Sequence, residues 1–331
     1  MIDLRPTEMP ILFVCGHRKS GTSLFLNLFD SHRQLLAYPL DLNTLYAYFP
    51  AYVEKAGASD ADLMRRLVRV VVDDLHETEL GAQGFPVEEF GRAFAAAMAG
   101  RDLRDLGQVL SGQIQAMQAV LETSEEHRFV VVKETSIELY ARRLGSHFPK
   151  ARFIHLVRDP RDNYSALRAG IERYRTFGDD EKKLIFSAQA RIALGMDAAR
   201  ANLAFFGADR YRTLRFEDLV AEPRATMAVV AEWIGIDFEP SLLQPTLAGK
   251  PTRGNNYDNV AMFEISAGNV GRWRRRIPPE EAALIEFLLA EQMDGFGYAR
   301  EFDMKDHLAI LDDYYKWLNY TYLFFDRFAS P

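Results

Sequence analysis

The sequence predicts an α/β fold, a three-layer sandwich with a central parallel sheet, and three observations support this prediction. Short apolar runs have the length and composition of buried strands. They span residues 11–15, 129–133, 153–157 and 211–216. Segments of helical character separate them, which is typical of parallel strands joined by crossovers. A glycine-bracketed turn directly follows the first run and leads into an amphipathic helix.

This turn has the pattern of a phosphate-binding loop. It runs from Gly16 to Gly21 and ends at a helix start, an arrangement that points backbone N–H groups toward a bound phosphate. The loop and the helix start also supply two cations and three hydroxyls. These belong to Arg18, Lys19, Ser20, Thr22 and Ser23.

The loop departs from the usual nucleoside-triphosphate pattern, G-x-x-x-x-G-K-[ST]. Gly16 and Gly21 have the required spacing, but Thr22 occupies the position of the lysine. The lysine lies inside the loop instead, at Lys19. The displaced lysine indicates different chemistry on a related scaffold.

A second charged turn follows the apolar run at residues 153–157. It reads Arg158-Asp159-Pro160-Arg161-Asp162. Ligands bind at the carboxyl ends of parallel strands, which is where Arg158 falls. The planar guanidinium of an arginine suits bidentate contact with a phosphate.

The two segments together resemble the sulfotransferases that use 3′-phosphoadenosine 5′-phosphosulfate (PAPS). The first motif of this family is a K-S-G-T-T or R-S-G-T-T loop, and the second is a strand that runs into R-[DN]-P-x-[DE]. Residues 211–219, 232–236 and 268–274 are similar to later family segments, in the family's order. The resemblance covers roughly residues 10–50 and 128–290.

The resemblance implies a role for each motif residue. Ser20, Gly21, Thr22 and Ser23 would bind the 5′-phosphosulfate with help from Arg18, and Lys19 would neutralise the leaving oxygen. Arg158 and Ser165 would hold the 3′-phosphate, although Ser165 stands one residue before the family's serine position, which is Ala166 here. Gly271, Arg272 and Arg274 would close over the nucleotide. The product would be 3′,5′-diphosphoadenosine (PAP), and no metal ion is implied.

The acceptor hydroxyl needs a general base within hydrogen-bond reach. Many family members carry a histidine after the second strand, but this chain continues Lys133-Glu134 without one. Other members use a glutamate beyond the phosphosulfate loop, and Asp41 is the carboxylate of that stretch. We rank Asp41 first and Glu134 second as the base, with Lys133 helping to neutralise the transferring group. A turn or helix-cap role explains Asp41 almost as well.

The predicted function is the transfer of a sulfuryl group from PAPS to a hydroxyl or amine by in-line displacement. One alternative is a P-loop kinase-like phosphotransferase, which Thr22 at the lysine position disfavours. The other is a non-catalytic nucleotide-binding relative, which the missing histidine and the displaced Ser165 keep open.

Composition limits the partners. The net charge of −7 argues against broad nucleic-acid binding and favours a small anionic ligand bound by local basic clusters. The acceptor is expected to be a small molecule, a glycan or a lipid. Cys15, the single cysteine, is expected to be a buried core thiol. No signal peptide or membrane-spanning run is apparent, so a cytoplasmic location is predicted.

We expect a sulfotransferase domain over residues 8–300, with a helical insertion at about 51–125. An aromatic-rich helical tail follows at 301–331. The tail either docks on the domain or on a second subunit, giving a homodimer, or rests on a membrane surface. Its aspartates would oppose anionic lipid, so docking is favoured.

Overall fold

The computed structural model describes residues 2–48, 59–121, 126–170, 181–254, 263–303 and 305–307. The chain divides into two compact units. The first unit comprises Met1–Val157 and Ala198–Ala267, and the second comprises Arg158–Asp197 and Gly268–Pro331.

The first unit contains a five-stranded sheet in which all neighbours pair in parallel, in the order β2-β3-β1-β4-β5. The strands are β1 (Ile11–Cys15), β2 (Leu35–Asp41), β3 (Phe129–Lys133), β4 (Arg152–Val157) and β5 (Tyr211–Arg215). The predicted α/β fold with a central parallel sheet is confirmed. Strand β2 was not predicted, because Pro39 interrupts its pattern. Proline is tolerated there because β2 lies at the edge of the sheet.

Both faces of the sheet are buried. Ile11, Phe13 and Cys15 of β1 belong to one apolar cluster, and the alternating Leu12 and Val14 belong to a second. Since successive strand residues point to opposite faces, β1 lies in the middle layer between two helical layers. This alternation agrees with the three-layer prediction.

The described helices of the first unit include those of the region from residue 59 to 121. They are α1 (Thr22–Asn27), α2 (Thr44–Tyr48), α3 (Asp60–Val71), α4 (Glu79–Ala82), α5 (Val87–Met98), α6 (Leu106–Gln118), α7 (Ala141–His147), α10 (Phe216–Ala221) and α11 (Pro223–Ile234). Short 3₁₀ helices occur at Asp73–Glu77, Ile137–Tyr140 and Pro240–Leu243, and a small antiparallel pair joins β6 (Thr246–Leu247) to β7 (Lys250–Pro251). Helix α9 (Glu181–Phe206) begins in the second unit and continues into the first at Ala198.

Helix α6 confirms the amphipathic helix that the leucine spacing predicts. The side chain of Asp105 caps its start by accepting the N–H of Gln108. Leu106, Leu110 and Ile114 form its buried face. The described part of the predicted insertion is therefore helical. Residues 51–58 and 122–125 lie outside the described residues.

The second unit is helical in its described part. It contains α8 (Pro160–Arg168), the first part of α9, α12 (Trp273–Arg276), α13 (Pro279–Leu288) and α14 (Ala290–Gly295). These helices enclose an apolar cluster that includes Tyr164, Trp273 and Ile285. The predicted tail falls mainly on residues 308–331, which are outside the described residues.

Cys15 is fully buried, as expected for a core thiol. Burial raises the pKa of this thiol well above its usual range, so it stays protonated. Across the described ranges, no helix has both the length and the apolar content needed to cross a membrane.

Candidate active site

The glycine loop, residues 16–21, has a backbone that only glycine can follow at both ends. Gly16 has φ 139°, and a Cβ placed there would lie 2.4 Å from the carbonyl oxygen of Leu156. Gly21 has φ 99°, and its Cβ would lie 2.4 Å from Cδ2 of Phe216. The two glycines therefore allow the loop to pass close to β4 and to the start of α10.

Inside the loop, Lys19 adopts a left-handed conformation with φ 66°. This conformation is uncommon for a residue with a side chain and occurs frequently at functional sites. Both the N–H and the hydroxyl of Ser20 donate to the carbonyl of His17, at 3.1 and 2.6 Å. These bonds close the turn and hold the half-buried Lys19 between them.

The loop ends where α1 begins. The first hydrogen bond of the helix runs from the N–H of Phe25 to the carbonyl of Gly21, at 3.0 Å. The N–H groups of Thr22 and Ser23 precede this bond and so lie outside the helical ladder. The loop thus offers backbone donors, the left-handed Lys19 and hydroxyl groups, a donor set that suits a phosphate.

Lys133 links the start of α1, directly after this loop, to a carboxylate. Its ammonium donates to Oγ of Ser23 at 3.0 Å and to Oδ2 of Asp41 at 2.8 Å. The side chain of Lys133 is 4% exposed and that of Asp41 is 30% exposed. The structure therefore brings together the predicted cation, the predicted base and a hydroxyl of the phosphate-binding segment.

A β-bulge places Asp41. Ala37 pairs with Val131, and Asp41 pairs with Lys133, so four residue steps of β2 oppose two steps of β3. Such an irregularity redirects side chains at the end of a strand. The chain then bonds back to β3 through the N–H of Leu42 and the carbonyl of Lys133, at 3.0 Å.

Glu134, the second candidate base, is occupied by backbone contacts. Its carboxyl oxygens accept the N–H groups of Asn43 and Thr135, and only 1% of the residue is exposed. Burial raises its pKa well above the usual range, and the nearby charge of Asp41 adds to this shift. Burial thus favours the neutral form of Glu134, and both of its carboxyl oxygens already accept backbone N–H groups. In contrast, Oδ1 of Asp41 has no hydrogen-bond partner among the described residues.

Gln113 of α6 supports the same segment and was missed by the sequence analysis. Its amide donates to the hydroxyl of Tyr38 and to the carbonyl of Leu42, both at 2.8 Å, and its oxygen accepts the hydroxyl of Thr44. The available signal was its spacing, because Gln113 lies seven residues after Leu106 and three after Leu110 and so shares their apolar face. Its contacts hold the chain on either side of Asp41.

Two histidines that could have been bases have structural partners instead. Nδ1 of His155 lies 2.8 Å from the hydroxyl of Tyr211. Nε2 of His32 lies 2.9 Å from the carbonyl of Asp237, and its Nδ1 accepts the N–H of Gln34 at 3.1 Å.

In the second unit, Arg158 and Asp162 contact the later glycine segment. Arg158 donates to the carbonyl of Asn269 at 2.9 Å. The carboxylate of Asp162 accepts the N–H groups of Gly271 and Trp273 at 2.6 and 2.9 Å. The R-D-P-R-D motif therefore shapes the 269–273 turn in addition to carrying Arg158.

The other two predicted arginines of this unit contact protein groups as well. Arg272 donates to the side chain of Asn269, and Arg274 pairs with Glu301. Ser165 is 3% exposed within α8. Gly271 has φ 69°, in the left-handed region.

Arg161, the second arginine of the motif, is a structural ion. It is 3% exposed and pairs with Asp159 and with the fully buried Glu286. Its guanidinium also lies 4.3 Å from the centre of the Trp273 ring.

As for metals, the described ranges contain no group of three or more His, Cys, Asp or Glu placed to hold an ion.

Comparison with known proteins identifies the class. The sulfotransferase family profile matches residues 10–240, more than half of the chain, and the chain belongs to this family. It is 28% identical to carbohydrate sulfotransferase 4 of Mus musculus over 216 residues, which cover 57% of this chain and 53% of that protein. The chain thus spans about half the length of this relative.

Two further likenesses cover more of the chain. The omega-hydroxy-beta-dihydromenaquinone-9 sulfotransferase Stf3 of Mycobacterium tuberculosis is 23% identical over 315 residues, covering 88% of this chain and 76% of that protein. The solved sulfotransferase domain from the curacin biosynthetic pathway matches with a TM-score of 0.60 at 17% identity, covering 89% of this chain and all of that domain. The latter likeness confirms the fold.

Proposed function

We propose that this protein transfers a sulfuryl group from PAPS to a hydroxyl or amine of an acceptor. Membership of the sulfotransferase family supports the proposal. The observation that carries it is the position of Lys133, whose ammonium contacts both Ser23 of the phosphate-binding segment and the carboxylate of Asp41. A base, a cation and a phosphate-binding loop are the groups that such a transfer needs.

The glycine loop and the start of α1 suit the 5′-phosphosulfate. Backbone N–H groups from Gly21 to Ser23 and the side chain of Thr22 supply donors, with Arg18 and Lys19 supplying positive charge. The hydroxyl of Ser20 donates to His17, so Ser20 contributes by closing the loop. When bound, PAPS supplies an activated sulfuryl group on a phosphate leaving group.

The transfer forms a bond between the acceptor oxygen and sulfur, and it breaks the bond between sulfur and the bridging phosphate oxygen. Asp41 accepts the proton of the acceptor hydroxyl. Lys19 neutralises the charge that develops on the leaving oxygen, and Lys133 neutralises the transferring group. Positioning and charge stabilisation of this kind carry the catalysis of loose, in-line transfers. The proposal includes no metal ion.

The motif residues of the second unit are proposed to bind the 3′-phosphate side of the nucleotide. This assignment rests on the family motif that begins at Arg158 and includes Ser165. Gly271, Arg272 and Arg274 are assigned to the same ligand. Because Asp162 bonds to the N–H groups at both sides of Arg272, the turn that carries Arg272 has a defined backbone.

The acceptor is proposed to be a small molecule, a glycan or a lipid, and no nucleic acid is expected. The relatives include a carbohydrate sulfotransferase and a menaquinone sulfotransferase, which support a sugar hydroxyl and a lipid hydroxyl as the first two acceptors to test. A cytoplasmic location and a homodimer through the tail stay predictions of the sequence.

The test is transfer of labelled sulfate from PAPS to a panel of sugar and hydroxy-lipid acceptors. Lys19→Ala is expected to reduce transfer by about 100-fold or more, as for loss of a group that stabilises transition-state charge. Lys150→Ala is the matched control, because Lys150 is exposed and pairs with Glu8. Full activity of Lys19→Ala would refute the role of Lys19.

The two alternative functions, a kinase-like phosphotransferase and a non-catalytic relative, predict different results. Phosphoryl transfer or hydrolysis with magnesium and ATP would indicate a kinase-like phosphotransferase. Tight binding of PAP without transfer to any acceptor in the panel would indicate a non-catalytic relative.

A further inference from the structure

A buried carboxyl group holds the first glycine of the loop. Glu138 lies in the 3₁₀ helix Ile137–Tyr140, which follows β3. It is 3% exposed, and its Oε2 accepts the N–H of Gly16 at 3.1 Å. Among the described residues, no cation pairs with this carboxyl group. Glu138 was not singled out by its sequence, because no motif includes it.

A chain of polar contacts through four other elements extends from Glu138. The amide of Asn202, in α9, donates to the Glu138 carbonyl at 2.8 Å and to the hydroxyl of Tyr211 at 3.5 Å. Tyr211, in β5, lies 2.8 Å from Nδ1 of His155, in β4. Cys15, in β1, precedes Gly16 and has its sulfur 4.0 Å from the Tyr211 hydroxyl.

Three titratable groups near Glu138, those of Cys15, Tyr211 and His155, do not change their charge near neutral pH. Burial raises the pKa of Cys15 and that of Tyr211, and it lowers the pKa of His155 to about 3. These groups are therefore neutral. Burial raises the pKa of Glu138 to about 7. Glu138 thus changes its charge near neutral pH, and His17, which follows Gly16 in the loop, is a further titratable group there.

We propose that Glu138 is a positioning residue for the glycine loop, and that it takes up a proton when the loop binds the phosphate groups of the nucleotide. The inference rests on the proposed function of the loop. A carboxyl group bonded to the loop backbone repels a bound anion when ionised but accepts the Gly16 N–H in either state. Protonation therefore removes the repulsion and keeps the contact that holds the loop.

The sign of the pH dependence follows from this linkage. Above pH 7, the free protein carries an ionised Glu138, and the bound anion favours the neutral form. Affinity for PAP therefore falls as pH rises, with a limit of about tenfold for each pH unit. The range from pH 7.5 to 8.5 is suitable, because phosphate monoesters with a second pKa of about 6 are fully ionised there.

The experiment is calorimetric titration of the full chain with PAP at pH 7.5 and 8.5, in buffers of different ionisation enthalpy. The wild type is expected to take up close to one proton at pH 8.5 and to bind several-fold more weakly than at pH 7.5. Glu138→Gln keeps an acceptor for Gly16 and is expected to show neither effect. Glu134→Gln, which removes another buried carboxyl group, is expected to keep the proton uptake of the wild type.

Three results would overturn the inference. A wild-type affinity that is flat between pH 7.5 and 8.5 would do so without any variant. Undiminished proton uptake in Glu138→Gln would assign the linkage to another group, such as His17. Absence of PAP binding at every pH would overturn the proposed function itself, whereas the first two results would leave it standing.

Discussion

Replacement of Gly16 by alanine tests whether the close approach of the loop to β4 is required. The new Cβ would lie 2.4 Å from the carbonyl oxygen of Leu156, a backbone atom that cannot move aside without distorting the sheet. A side chain at positive φ costs about 1–2 kcal/mol, and forcing extra volume into a packed site costs about 1–3 kcal/mol more. We therefore expect Gly16→Ala to lower the free energy of unfolding by roughly 2–5 kcal/mol.

Gly84→Ala separates the two contributions. Gly84 also has positive φ, 85°, but a Cβ there would meet no atom within 4 Å. This control should lose only the conformational term, about 1–2 kcal/mol, and should bind PAP as tightly as the wild type. Gly16→Ala should bind PAP at least tenfold more weakly, because the loop has to move away from Leu156.

The assays are urea denaturation followed by circular dichroism, and calorimetric titration with PAP. The reasoning would be refuted if Gly16→Ala and Gly84→Ala had equal unfolding midpoints and equal affinities for PAP. Equal stability with weaker binding in Gly16→Ala alone would show that the loop relaxes at little cost, so the strain estimate would be wrong.

Two further predictions concern the side chains at the ends of the strands. Asp41→Asn should lower kcat for sulfuryl transfer by about 100-fold to 10,000-fold, as for loss of a general base. Its affinity for PAP should change less than threefold. If Glu134→Gln lost more activity than Asp41→Asn, the two assignments would be reversed. Asp162→Ala should destabilise the second unit by roughly 3 kcal/mol, since two backbone hydrogen bonds to a carboxylate are lost. Urea denaturation followed by tryptophan fluorescence measures this loss, with Asp162→Asn for comparison. An unfolding midpoint equal to that of the wild type would show that the bonds to Gly271 and Trp273 do not hold the turn.

Patterns within short segments predicted the elements that depend on the spacing of neighbouring residues. The glycine loop was recognised because Gly16 and Gly21 have a fixed spacing and follow an apolar strand. Helix α6 was recognised because its apolar residues recur at the helical period. Strand β2 was missed because Pro39 breaks its pattern, and only its place at the edge of the sheet makes that proline acceptable.

The different surroundings of the two candidate bases are visible only in the packed structure. Asp41 and Glu134 both follow apolar runs, so the sequence could rank them but not separate their environments. In the structure, Glu134 is buried against backbone N–H groups, whereas Asp41 is partly exposed and faces Lys133. The β-bulge that turns Asp41 toward Lys133 involves residues far apart in the chain, and no local pattern encodes it.

The sequence by itself therefore determined the phosphate-binding loop, the α/β class and the family, because each depends on spacing within a short segment. Tertiary structure alone decided which carboxylate pairs with Lys133 and which carboxyl group, that of Glu138, accepts the N–H of Gly16. Charge state and contact depend on burial, and burial is a property of strands and helices brought together from distant parts of the chain.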